Sequence, residues 1–320
     1  MKKRGMMEKF GAFLSLVRWY NLIMVALTQY LFRYFIILPV FRAHGFSLPL
    51  SSFDFFLLVL ATVLVSAAGY AINDYFDLRI DRINKPEKVI VGRLISRRTT
   101  ILWHWILNTA GVLIGVYISW QIRYWPLALV FATVPMVLWL YSIRFKRSFL
   151  TGNITVAVLS AMVVGLVWLV EYRAASLHFT VGPELMKVSF YAWLYAFFAF
   201  ITTLIREIVK DMQDYVGDKK TGCRSLAIVA GLETTRKVVM GLMVIMLLLV
   251  GAYLFSLGLQ GHYTLIGYFV IVVIVPLLLV LLHVSKALGA MDFATIQQVV
   301  KLIMLAGVVS MIIQKFYIVG

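Results

Sequence analysis

Cysteine is nearly absent from this chain. Cys223 is the one cysteine among 320 residues, which excludes an intrachain disulfide and a cysteine metal cluster. Charge is scarce too: 14% of residues are charged against 62% hydrophobic, and mean hydropathy is +0.93. A soluble domain carries about a quarter charged residues, so a polytopic membrane protein embedded in a lipid bilayer is expected. Acidic residues are the rarer sign, 14 against 30 Lys and Arg, for a net charge of +16. That excess reads as positive-inside topology, and no nucleic-acid partner is expected. The basic start (Lys2, Lys3, Arg4) runs into a full-length apolar segment with no small-residue cleavage site, which reads as a first membrane helix and not a removed signal. No stretch reads as a soluble domain or low-complexity linker, so residues 1–320 are taken as one transmembrane domain. The histidines (His44, His104, His178, His262, His283) show no metal-ligand spacing.

Apolar segments of spanning length occur at about 16–40, 53–77, 99–121, 125–144, 149–170, 188–210, 236–257, 263–284 and 298–318. The fold class is therefore all-α with nine transmembrane helices. The connectors alternate in charge. Residues 1–20, 73–98, 143–148, 206–237 and 284–301 hold 24 of the 30 Lys and Arg, and such connectors mark the cytoplasmic side. The expected topology is N-terminus in and C-terminus out.

The few acids are concentrated. Asn73-Asp74-Tyr75-Phe76-Asp77-Leu78-Arg79-Ile80-Asp81 closes the second apolar run. On a helix, Asn73, Asp74, Asp77 and Asp81 fall within about 100° of one another. Carboxylates crowded there repel one another and lose hydration, so something cationic must sit among them. A second row lies at Glu207, Asp211, Asp214 and Asp218, and the two rows hold seven of the 14 acids. Asp214 and Asp218 are one turn apart if the helix persists, although Gly217 and Gly222 suggest a break nearby. Asp-Tyr-Phe-Asp at 74–77 and Asp-Tyr-Val-Gly-Asp at 214–218 form a faint internal echo. Hard cations such as Mg²⁺ want oxygen ligands and keep water or phosphate oxygens in the rest of their shell. The two rows read as the jaws of a divalent-metal and diphosphate site.

A diphosphate needs cations beyond the metal, and Lys85, Arg93, Arg144, Lys146, Arg206 and Lys210 are candidates on the same side. Lys146, Arg206 and Lys210 stand out because they sit at helix ends beside the acidic rows. Arg18, Asn21, Gln29 and Arg33 form a polar stripe on the first helix, with Arg18 and Asn21 placed to touch phosphate. A charge at the centre of a span costs at least ~2.5–3.5 kcal/mol. Arg33 is therefore expected to face the bundle interior or reach the outer interface. Asp292 and Glu171 read as loop charges.

The motifs Asn73-Asp-x-x-Asp77-x-x-x-Asp81 and Asp214-x-x-x-Asp218 in nine spans resemble the UbiA superfamily of intramembrane prenyltransferases. Arg18-x-x-Asn21, Tyr141-Ser142 and Lys146 also look like that family. The resemblance implies a ring of helices around a central cavity, with Mg²⁺ on Asn73, Asp77, Asp214 and Asp218 binding a prenyl diphosphate. Tyr141 joins Arg18, Asn21, Lys85, Lys146, Arg206 and Lys210 as the residues expected to bind substrate. Lys210-Asp211-x-x-Asp214-x-x-Gly217-Asp218 and Gly152-Asn153 look most like the branch that makes digeranylgeranylglyceryl phosphate. The quinone branch usually carries a Tyr-Ala pair where this chain has Lys210 and Asp211.

The resemblance implies ionisation of the diphosphate with Mg²⁺ and basic residues neutralising the leaving group. The prenyl group, geranylgeranyl in this branch, passes to a lipophilic acceptor, geranylgeranylglyceryl phosphate. One of Asp74, Asp81 and Asp211 would serve as base. Aromatic quinone-precursor and haem prenyltransferases are the alternatives. A cation-coupled transporter is the rival from another class, but its carboxylates should lie near mid-membrane, not clustered at one face. The expected location is a prokaryotic cell membrane with the active site cytoplasmic.

Overall fold

The computed structural model describes residues 6–84, 86–178, 182, 184–287 and 289–318. Lys85 lies outside them. Among the described residues, nine helices are long and apolar enough to cross a membrane. In chain order the elements are α1 Met6–Leu16, α2 Trp19–Ala43, α3 Ser52–Asn84, α4 Arg97–Gln121, α5 Pro126–Ile143, α6 Thr151–Ala175 and α7 Glu184–Gln213. The short α8 Tyr215–Lys220 and α9 Leu226–Val229 follow, then α10 Gly231–Leu259, α11 Tyr263–Lys286 and α12 Ala290–Gln314.

Two boundaries differ from the expected ones in ways that matter for the site. A separate α1 precedes the first run, and that run starts only at Trp19, because Arg18 adopts φ 52° and breaks the helix before α2. The second span continues past 77 to Asn84. The whole acidic row therefore lies inside α3, not at its mouth. Nothing between 73 and 84 is Gly or Pro, and the helix stops just ahead of Pro86, where the residue before proline disfavours helix.

The chain divides into two compact units of interleaved segments. The first comprises residues 1–27, 49–146 and 173–179. Its centre is α3 packed on α4, with α5 against both. Small residues let α3 and α4 approach closely: Ala61, Ala67 and Ala68 are buried along the seam. A Cβ on Gly111 would come within 2.7 Å of Val65 Cγ2 and 3.1 Å of the Ala61 carbonyl oxygen. In lipid, helices associate by such close packing, because no hydrophobic force separates them from the acyl chains. A His104 ring nitrogen sits 2.9 Å from the Ala68 carbonyl oxygen, and its ring lies against Trp139 of α5. These contacts hold the half of α3 that leads into the acidic row in place.

The second unit comprises residues 28–48, 147–172 and 180–320. Its core joins α7, α10, α11 and α12 through Ile205, Ile208, Met243, Leu277, Val300 and Ile303. Arg33 enters a π-helical turn of α2 at Phe32–Ile37, and its Nε lies 2.6 Å from Glu171 Oε1 of α6. Their side chains are 1% and 0% exposed. The interior alternative for Arg33 is the one found. Glu171 is not a loop charge: it is a helical residue buried to meet that guanidinium, since neither ion is tolerable alone at low dielectric. Asp292 does sit at a surface, where its carboxylate accepts from the Gly289 amide and caps α12.

Glu171→Leu should strand Arg33 without its carboxylate and lower stability by about 3–5 kcal/mol. The double variant Arg33→Met/Glu171→Leu should recover most of that loss, as read from unfolding midpoints in detergent.

Candidate active site

Each unit carries one acidic row, and each is neutralised locally. In the first unit, α3 turns Asn73 and Asp77 inward one turn apart, with Asn73 7% and Asp77 3% exposed. Asn73 Nδ2 donates to Asp77 Oδ2 at 2.7 Å. Lys146, in the short 3₁₀ turn after α5, places its ammonium on the same oxygen. Asp81 adds to the attraction on the Lys146 ammonium, and the buried Tyr141 lies close by. On the neighbouring face Arg18 donates to Asp74 Oδ1 at 2.8 Å and stacks 5.0 Å from the Tyr70 ring. Desolvation is the largest single influence and works against the Arg18 charge, but Asp74, Tyr70 and Asp77 together outweigh it, and the guanidinium pKa lies above its ordinary value. Carboxylates crowded this closely need a cation among them, and there are two.

Arg18, Asn73, Asp74, Asp77, Asp81, Tyr141 and Lys146 are thus brought into one neighbourhood. Asn21 begins the first turn of α2 beside it, its amide donating to the Arg18 carbonyl at 2.8 Å. Tyr70, one turn before Asp74, was missed by the sequence reading. The signal was there, since i and i+4 share a helix face.

In the second unit, α7 presents Glu207, Asp211 and the row beyond. Glu207 is buried and takes Arg206 through Oε1 and Lys210 through Oε2, the latter at 3.6 Å. Asn153 at the start of α6 donates its side-chain amide to Asp211 Oδ2 at 2.8 Å. The expected break falls at Asp214, whose φ −87° and ψ 6° separate α7 from α8. The hydrogen-bond ladder nevertheless runs through it. Asp214 N donates to Lys210 O at 2.9 Å and Asp218 N to Asp214 O at 3.1 Å. Asp214 and Asp218 therefore stand one helical turn apart. Gly217 is buried within α8, and the chain turns instead at Gly222, with φ +74°.

Among the described residues, no group of three or more His, Cys, Asp and Glu is placed to hold a metal ion by itself. The donor chemistry still fits Mg²⁺. Asn73 Oδ1 is buried with no hydrogen-bond partner, beside a carboxylate, and a hard cation takes such oxygens together with water or phosphate.

Arg18 also carries backbone strain. A non-glycine residue at φ 52° costs roughly 1–2 kcal/mol. Arg18→Gly should therefore unfold at a higher temperature than Arg18→Ala, by the equivalent of about 1 kcal/mol, although both lose the Asp74 contact.

Residues 19–304 match the UbiA prenyltransferase family. The chain is 36% identical over 185 residues to the digeranylgeranylglyceryl phosphate synthase of Methanothermobacter thermautotrophicus, covering 57% of this chain and 58% of that protein. It is 31% identical over 244 residues to the protein of the same name from Sulfolobus acidocaldarius, covering 73% and 75%. The chain spans less than two thirds of the length of the first of these relatives. Among solved structures, it resembles one described as digeranylgeranylglyceryl phosphate synthase, with TM-score 0.60, 22% identity and coverage of 95% and 99%. It also resembles a UbiA homologue from Archaeoglobus fulgidus bound to DMAPP and Mg²⁺, with TM-score 0.52, 17% identity and coverage of 93% and 98%. These two likenesses bear on the fold. The chain is an integral membrane protein and belongs to the UbiA prenyltransferase family.

Proposed function

We propose that this family member is a Mg²⁺-dependent prenyltransferase that moves a geranylgeranyl group from its diphosphate to the hydroxyl of geranylgeranylglyceryl phosphate. The observation that carries the reading is the Asn73–Asp77 pair, a buried carboxylate beside a buried amide oxygen left without a partner. Two curated relatives named digeranylgeranylglyceryl phosphate synthase support the acceptor. A UbiA homologue solved with DMAPP and Mg²⁺ supports the donor and the metal.

In this reading Asn73 Oδ1, Asp77, Asp214 and Asp218 are the metal ligands. When bound, Mg²⁺ neutralises the charge that builds on the leaving diphosphate. Lys146, Arg206 and Lys210 add cationic donors to the same oxygens, with Arg18, Asn21, Tyr141 and Lys85 also at the substrate. The C1–O bond breaks with its electron pair leaving on pyrophosphate, and the acceptor oxygen bonds to C1. The hydroxyl proton passes to a carboxylate, for which Asp74, Asp81 and Asp211 are the proposed bases. Asp211 has Oδ2 held by Asn153, which fixes the carboxyl group without removing its second oxygen. Apolar helix faces take the prenyl tail.

Product analysis by mass spectrometry tests the substrates, using geranylgeranyl diphosphate with geranylgeranylglyceryl phosphate, 4-hydroxybenzoate, a naphthoate and haem. Prenylation of the glycerol phosphate lipid is expected; transfer only to an aromatic acceptor or to haem would overturn the acceptor assignment. Asp77→Ala should abolish turnover while the protein still folds, and normal activity in that variant would refute the metal role.

We further propose that the membrane is a prokaryotic cell membrane and that both acidic rows face the cytoplasm, on the strength of the basic connectors. With Cys223 replaced by Ser, a cysteine at exposed Lys219 should react with an impermeant maleimide only after permeabilisation. A cysteine at exposed Gln260 should react in intact cells. The reverse pattern would invert the topology.

A further inference from the structure

We propose that Lys146 is a resident counter-ion for the α3 acidic row, and that its displacement makes metal binding conditional on diphosphate. This rests on the metal and diphosphate reading above. Three observations carry it. Lys146 Nζ and Asn73 Nδ2 both donate to one oxygen, Asp77 Oδ2. Asn73, having turned its NH₂ group to Asp77, is left with Oδ1 buried and without a partner. The Asp77 side chain is 5% exposed while that of Lys146 is 23% exposed.

A carboxylate so enclosed needs a cation if it is to stay ionised. It cannot keep two of them, because a divalent ion on Asp77 would stand against the ammonium. Lys146 is the partner able to leave. Its charge sits at the end of a flexible four-carbon stem, rooted in the 3₁₀ turn Phe145–Arg147 outside α5. A metal arriving alone must break the Lys146–Asp77 pair and leave the ammonium beside a more concentrated positive charge. A metal arriving with diphosphate brings oxygens to which the displaced ammonium can turn. The two ligands therefore bind with positive coupling, and by linkage each raises the affinity of the other equally.

The test is Mn²⁺ binding to the full chain in detergent, read by electron paramagnetic resonance at buffered free Mn²⁺, with and without inorganic pyrophosphate. Wild-type affinity should rise by about 5–150-fold with pyrophosphate. Lys146→Met should bind Mn²⁺ alone more tightly than wild type and gain little from pyrophosphate. Lys146→Arg should keep the coupling. Equal Mn²⁺ affinity of wild type and Lys146→Met without pyrophosphate would overturn the proposal. Should Lys146→Met fail to fold, the wild-type ratio decides alone, and a ratio near one overturns it. Absence of Mn²⁺ binding under every condition would instead refute the metal reading itself, and this inference with it.

Discussion

A carboxylate withdrawn from water must be met by a cation, and that requirement organises the charged interior of this protein. Asp77 has Lys146, Asp74 has Arg18, Glu207 has Arg206 and Lys210, and Glu171 has Arg33. The first three groups lie on the cytoplasmic side in the proposed topology, and their cationic members are partly accessible. The fourth is sealed on both sides. One electrostatic rule thus yields pairs with an accessible cation in the acidic rows and a sealed pair away from them.

The two acidic rows reach a similar arrangement by different routes. In the first unit Asn73 donates to Asp77 within one helix, a turn away. In the second, Asn153 reaches Asp211 from a different helix. In both an asparagine amide fixes a carboxylate while a lysine stands nearby. The helix geometry tolerates this because α3 runs unbroken to Asn84, and because the ladder through Asp214 survives its irregular dihedral angles.

Much of this was legible in the sequence, for definite reasons. Nine apolar runs announce nine helices because lipid leaves the backbone no other way to satisfy its polar groups. The acidic rows stand out because acids are so few, and the i, i+4 spacing of Asn73 and Asp77 converts directly into a shared face. What could not be read were partners distant in sequence. The Glu171 partner is 138 positions away, and no local pattern distinguishes a buried glutamate near the end of a span from one in a loop. The extent of α3 was underestimated because polarity was taken for a helix end, whereas only Pro86 halts it. The break at Arg18 was invisible as well, since arginine is a poor candidate for left-handed backbone.

That break has a consequence for how the first helix works. An arginine on a freely continuing helix would sweep its long side chain through many rotamers. Here the reversed backbone at position 18 fixes where the guanidinium starts, and the Tyr70 ring and the Asp74 carboxylate fix where it ends. Position 18 is thus held both by its backbone and by its side-chain partners. A shift of α1 against α3 would be met first at the Arg18–Asp74 contact.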